Sequence, residues 1–290
     1  MPGVKAVEKS GLLNKGLFSW IRKDQHIATS WFSLCDDLDK LSHTVIFGLK
    51  INGNNSQQVL VALLYIKILS TFQAIVTLAE REMLNESKIL LRSLLESVFA
   101  LVAISKDAKV ADRFIEDDHI QRLRLLNTCR DLSPKFQKLL KPRVDKLLKS
   151  RLNNVAKSQT KTQDITPLTV EYLAAKAELE ELYYSVFVLL PGSSYLRVYE
   201  LEQYWEGHTS GKSVRRLANP ILNRTDAVLF TAIKSILLSL NSVINTFNVK
   251  IPKGYIQLIG QFRSLAKTQG KSKSKHRASA EEGLRKPKYS

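Results

Sequence analysis

The sequence predicts an all-α fold: a bundle of about six or seven helices, followed by a disordered basic C-terminal tail. Three observations carry this. Apolar residues recur at spacings of three and four over most of the chain, the period of a helix with one buried face. Gly (12) and Pro (8) are scarce in 290 residues, which favours long regular elements over turn-rich β structure. No alternating apolar–polar run extends beyond a few residues.

The elements follow in order. Residues 1–25 read as an N-terminal arm. Residues 26–263 read as a single helical-bundle domain that includes a basic segment, 135–162, and residues 264–290 read as the disordered basic tail. Ile27–Leu49 is predicted as a first helix, with Trp31, Leu34, Leu38, Leu41 and Val45 on its stripe. Ile51–Asn55 is a polar loop. Ser56–Glu82 is a long apolar helix. Asn85 is placed to cap a third helix, with Glu86 and Ser87 in its first turn, running to about Ser105. Val110–Cys129 is a fourth. Ser133 and Pro134 open an amphipathic segment as N-cap and N1, and Pro142 kinks or breaks it. Residues 153–167 are polar and read as loop. Thr169–Leu190 is predicted helical, ended by Pro191 and Gly192. Residues 193–214 read as irregular or as short helix. Residues 220–248 form the last apolar helix, with Phe230, Ile233, Leu237, Leu240, Ile244 and Phe247 on a stripe that serves as a core face or a homodimer seam.

Two cysteines, Cys35 and Cys129, make no disulfide framework and no metal spacing. They fit a reducing cytoplasm. Residues 1–20 lack a continuous apolar stretch of the kind a secretory signal carries. Val59–Ala79 has the length of a bilayer span. However, Lys67 near its middle costs about 2.5–3.5 kcal/mol on insertion. The expectation is a bundle helix and no stable membrane insertion.

The net charge of +17 is unevenly placed. Residues 135–162 hold nine Lys/Arg against Asp145, and residues 250–290 hold eleven against Glu281 and Glu282. These segments contribute +8 and +9, so the remainder is neutral. A neutral body with two basic segments points to polyanions such as RNA or DNA. Lys135, Lys138 and Lys141 in the first segment, and Lys271, Lys273, Lys275 and Arg277 in the second, are the candidate nucleic-acid contacts. The bland alternatives are a lysine-flanked core helix and a solubilising tail.

Charge within an apolar period is costly unless paired or used. Arg92 and Glu96 are four apart and share a helix face with Ile89, Phe99 and Ala103. They read as a structural ion pair joining helices or as part of a ligand site. In the run from Asp112 to Leu126, Asp118 interrupts the stripe of Val110, Phe114 and Leu125, and Glu116 and His119 are three apart. A solvated outer face is the bland reading. The functional one is a polar pocket between helices, built from Arg92, Glu96, Glu116, Asp118 and His119, with Tyr184 and Arg197 from later elements. His119 is the natural general base near neutral pH. Gly207–Ser213 resembles a phosphate-binding loop but has three residues, not four, between its glycines and no strand before it. It reads as a loop. No cofactor and no metal are implied.

Residues from about 30 to 205 resemble a bacterial helical family known as domain of unknown function 5677. The runs ILLRSLLES, ADRFIEDDHIQRLRLL and ELYYSVFVLLPGSSYLRVYELEQY carry the resemblance. It implies an α-helical fold. The family pattern commonly has histidine where this chain has Arg197. Arg113–His119 also resembles the Arg-x(4–6)-His pattern of the higher eukaryotes and prokaryotes nucleotide-binding superfamily, many of whose members are metal-independent ribonucleases. By that resemblance Arg113 holds the scissile phosphate and His119 moves the proton. Six residues turn about 240° around a straight helix, so a kink or a dimer is needed to unite them. The reading is therefore a module that binds nucleic acid or a protein partner, in bacterial defence or stress by family analogy. The alternative is a metal-independent, toxin-like ribonuclease.

Overall fold

The computed structural model describes residues 26–81, 83–130, 168–190 and 225–267, and every regular element among them is helical. The helices are α1 (His26–Gly48), α2 (Ser56–Glu80), α3 (Leu84–Lys106), α4 (Ala108–Arg130), α5 (Val170–Ala177), α6 (Glu180–Ser185) with a 3-10 turn at Phe187–Leu189, α7 (Thr225–Phe247) and α8 (255–267). The arm 1–25, the basic segment 135–162, the chain beyond 267, and Arg197 lie outside the described residues.

Helix α3 is the centre. All residues from Ser97 to Ile104 are buried, so this stretch is covered on every side, as a helix without a polar face requires. It packs against α2, α4, α5 and α7. Helix α2 buries one stripe, including Tyr65, Ile68, Phe72 and Ile75, and shares its packing between α3 and α7. Both α2 and α7 are long and apolar enough to cross a membrane. Helix α7 buries Ile233, Leu240 and Ile244 against the other helices, so its stripe is a core face.

Three hydroxyls inside α7 are disposed of locally. Thr231, Ser235 and Ser239 donate to the carbonyl oxygens of Ala227, Thr231 and Ser235 at 2.8–3.0 Å. Each hydroxyl satisfies itself on its own helix. Their small volume leaves room for the neighbouring helices.

Helices α1 and α7 run parallel. Trp31, sixth in α1, meets the ring of Phe230, sixth in α7, edge to face at 6.2 Å. Further along, Ser42 of α1 sits beside Tyr65 of α2, which is within electrostatic reach of Tyr255 of α8, and the Tyr255 hydroxyl donates to Leu237 O of α7 at 3.5 Å. Phe262 of α8 stacks on Phe230 at 5.1 Å, so α8 runs back along α7.

Three expectations need correction. Asn85 does not cap α3. The helix begins at Leu84 behind Met83, without a side-chain cap, because burial of Leu84 pulls the first turn two residues forward. Residues 169–190 are not one helix. Glu178 adopts a left-handed conformation (φ 58°), with Leu179 N–H on Ala174 O and Glu178 N–H on Ala175 O, a Schellman ending that turns the chain into α6. Residues 255–267, read partly as tail, form α8, which buries Tyr255 and Leu258.

Candidate functional site

The charged residues of α3 and α4 converge on the segment 168–190. Arg92 projects from α3 toward the 3-10 turn. Its Nη1 donates to the carbonyl oxygens of Phe187 at 2.9 Å and Leu190 at 3.3 Å. Its guanidinium lies over the Phe187 ring, 3.9 Å from the centroid. A planar fork that hydrogen-bonds at its edge and stacks on its face is a use only Arg supports. Glu96, one turn along, stands 3.7 Å from Arg92 Nε. This is a loose, half-exposed pair within one helix, of small energetic weight. What joins α3 to the later segment is the contact of Arg92 with backbone carbonyls.

Lys106 makes the second clamp. It donates to Ala177 O at 2.9 Å, at the C-terminal end of α5 where free carbonyls and the helix dipole favour a cation. It also pairs with Glu178 at 2.8 Å. Helix α4 makes the third and fourth. Arg113 lies over the Tyr172 ring at 4.4 Å, and Asp117 accepts from Leu168 N at 3.0 Å, just ahead of the Thr169 N-cap, which itself accepts from Tyr172 N at 3.1 Å. Arg113 and Asp117 are four apart and so share one face of α4.

Aromatic rings fill the middle. Phe187 packs edge to face on Phe99 at 5.8 Å and stacks on Tyr183 at 5.2 Å. Tyr184 turns outward and donates its hydroxyl to the Glu171 carboxylate at 2.5 Å. That hydrogen bond holds the phenol above its ordinary range, the nearby carboxylate charge adding to it.

The predicted site residues therefore fall into groups. Arg92 and Glu96 adjoin one another beside the 3-10 turn, and Arg113 faces α5. Tyr184 is exposed and engaged with α5. Glu116 is exposed, while Asp118 and His119 are half-buried on α4. Helix α4 is unbroken from Ala108 to Arg130, so Arg113 and His119 point about 120° apart around it. Arg197 and the lysines Lys135, Lys138, Lys141, Lys271, Lys273 and Lys275, with Arg277, lie outside the described residues. Sequence reasoning passed over Asp117, Tyr172 and Lys106. The spacing of four from Arg113 was the available signal for Asp117. Among the described residues, no three His, Cys, Asp or Glu side chains are grouped to hold a metal ion.

No curated protein and no solved structure matches the chain. The three runs that carry the sequence resemblance hold α3's Arg92, α4's Arg113 and Asp117, and the Phe187 turn that Arg92 clamps. Residues 58–211, just over half of the chain, match the model of a Family of unknown function (DUF5677), and the chain belongs to that family.

Proposed function

We propose that this protein is a nucleic-acid-binding module, in which the helical body is a scaffold and the basic segments make the phosphate contacts. The partition of charge carries the reading. All of the +17 resides in residues 135–162 and 250–290, while the rest of the chain is neutral. A concentrated positive segment on a neutral body attracts a polyanion by releasing its counterions. The described root of the second segment agrees, since Lys250, Lys253, Arg263 and Lys267 are all exposed.

The test is retention of RNA and of DNA across a salt series, by the full chain and by a variant ending at Lys267. The logarithm of affinity should fall linearly with the logarithm of salt, by about 0.9 per phosphate neutralised on duplex DNA and about 0.7 on single strands. Removing residues 268–290 should flatten the slope. An unchanged slope and affinity would transfer the role to residues 135–162 or refute the reading.

The enzymatic alternative, a metal-independent ribonuclease using Arg113 and His119, has less behind it, because the Arg113 guanidinium is already stacked on Tyr172. Incubating wild type and His119→Ala with total RNA without metal separates the two. Cleavage lost only in the variant favours the enzyme. Salt-sensitive retention by both, without cleavage, favours the module.

A further inference from the structure

One end of the bundle is both apolar and basic. Because α1 and α7 are parallel, equal in length and in register at Trp31 and Phe230, their C-terminal ends lie together. The loop from Leu49 to Asn55 then starts α2 at the same end, and the turn at 248–254 starts α8 there.

Large apolar side chains point outward here. Phe47 is 86% exposed, and Ile51 follows it in the loop. Leu63 and Ile66 are exposed in the N-terminal half of α2. Ile251 and Ile256, the latter 72% exposed, flank the turn before α8. A folded chain normally buries such groups or uses them.

The charge at this end has one sign on these elements. Lys50, Lys67, Lys250 and Lys253 are all exposed. The chain has no Asp or Glu from Lys40 to Ala79, and none from Ala227 to Lys267. The nearest carboxylates across α2 belong to the start of α4 and the residue before it. Asp112 accepts from Ser56 Oγ, and Asp107 accepts from Lys109 N. With Glu178 they are matched in number by Lys106, Lys109 and Arg113, so the four lysines remain as net charge.

We propose that this end docks on an anionic lipid surface, with Phe47, Ile251 and Ile256 entering the headgroup boundary and the lysines meeting lipid phosphates. Apolar side chains interspersed with lysine, and lacking acidic neighbours, are what such a surface recognises. The mode is peripheral. The opposite face of α2 is committed to the core through Tyr65, Ile68 and Phe72, so the helix stays in the bundle. A nucleic acid would use the lysines and could stack a base on Phe47 but would gain nothing from Ile51, Ile251 and Ile256, which is why lipid is favoured at this end.

The experiment is co-sedimentation of the full chain with vesicles of phosphatidylcholine containing phosphatidylglycerol, and with vesicles of phosphatidylcholine alone. The key variant is Phe47→Ser/Ile251→Ser/Ile256→Ser, which leaves every charge and the basic tail in place and alters only exposed positions. Wild type should bind the anionic vesicles, and the triple variant should bind them at least about tenfold more weakly with its helical melting unchanged and its RNA retention intact. Lys250→Gln/Lys253→Gln should weaken binding and reduce its salt dependence. Equal binding by wild type and triple variant would overturn the proposal by assigning the attraction to charge alone. So would no binding by wild type, a wild-type dimer that the triple variant abolishes, or a parallel loss of RNA retention. Intact RNA retention with lost vesicle binding separates this inference from the nucleic-acid reading.

Discussion

The guanidinium of Arg92 both lies over the ring of Phe187, 3.9 Å from its centroid, and donates to that residue's own carbonyl oxygen at 2.9 Å. One side chain thereby fixes the backbone and the ring of a residue 95 positions away. Arg92→Ala removes the ring contact, deprives the Leu190 carbonyl of the Arg92 donor and leaves the Phe187 carbonyl with the Leu190 N–H alone. The expected loss is about 2–3 kcal/mol of stability, seen in chemical denaturation. Arg92→Lys should recover less than half of it, since an ammonium cannot stack and fork together.

Glu178 gives a prediction of opposite sign. It holds a left-handed backbone at φ 58°, which costs a residue with a Cβ about 1–2 kcal/mol. Its salt bridge to Lys106 is largely exposed and contributes little. Glu178→Gly should raise the stability by about 0.5–1 kcal/mol, after the added freedom of glycine in the unfolded chain is subtracted. A fall in the melting temperature would mean that the ion pair matters more than the backbone.

Much of the architecture was readable in advance, and the exceptions have physical causes. The boundaries of α1 and α2 follow from uninterrupted apolar periods. Asn55 shows the same logic at one residue, its side chain accepting from Gln58 N at 3.0 Å to cap α2. The break at Glu178 was invisible because no glycine marks it, and tertiary contacts from Lys106 hold the turn. Helix α8 was hidden by composition. Its Tyr255, Leu258, Phe262 and Leu265 are spaced as a helix face, but they sit among lysines that resemble the tail. In the site, Arg92 was legible as a costly charge, whereas its acceptors were not, since main-chain carbonyls carry no sequence signature. Asp118 drew notice for interrupting a stripe, while Asp117, in step with Arg113, is the residue that reaches Leu168.

The hydroxyls of Ser42 and Tyr65 are buried side by side, yet neither has a hydrogen-bond partner of good geometry among the described residues. Burial pushes the Tyr65 phenol far above its ordinary range, with Ser42 opposing weakly. Tyr65→Phe should therefore change stability at neutral pH by less than about 0.5 kcal/mol, because no strong bond is lost. At alkaline pH the wild type should differ. The folded pKa lies above the unfolded value of about 10, so the unfolded chain releases this proton first. Stability is full below about pH 10 and falls as the pH rises further. In Tyr65→Phe that component of the alkaline loss should disappear, while the component from Tyr255, also raised by burial, persists. Denaturation midpoints at pH 8 and pH 11 check this.

Cys35 is buried in α1. Burial, reinforced by the carboxylates of Asp36, Glu80 and Asp39, pushes its thiol well above the ordinary range. It should resist alkylation at pH 8 in the native protein and react fully in denaturant, as peptide mapping of the labelled chain will show. Prompt native labelling would mean that α1 detaches on the timescale of the reaction.

The parallel pairing of α1 with α7 has a further consequence. The family region begins at residue 58 and ends at 211, yet the aromatic contact of Trp31 with Phe230 and Phe262 is made entirely by helices outside it. The matched segment and the packed core are therefore different lengths of chain. A polypeptide cut between residues 190 and 225 would yield one fragment with an open apolar groove and another, α7 with α8, shaped to fill it. Mixed together, the two pieces should restore a single melting transition, making this bundle a ready scaffold for a split reporter.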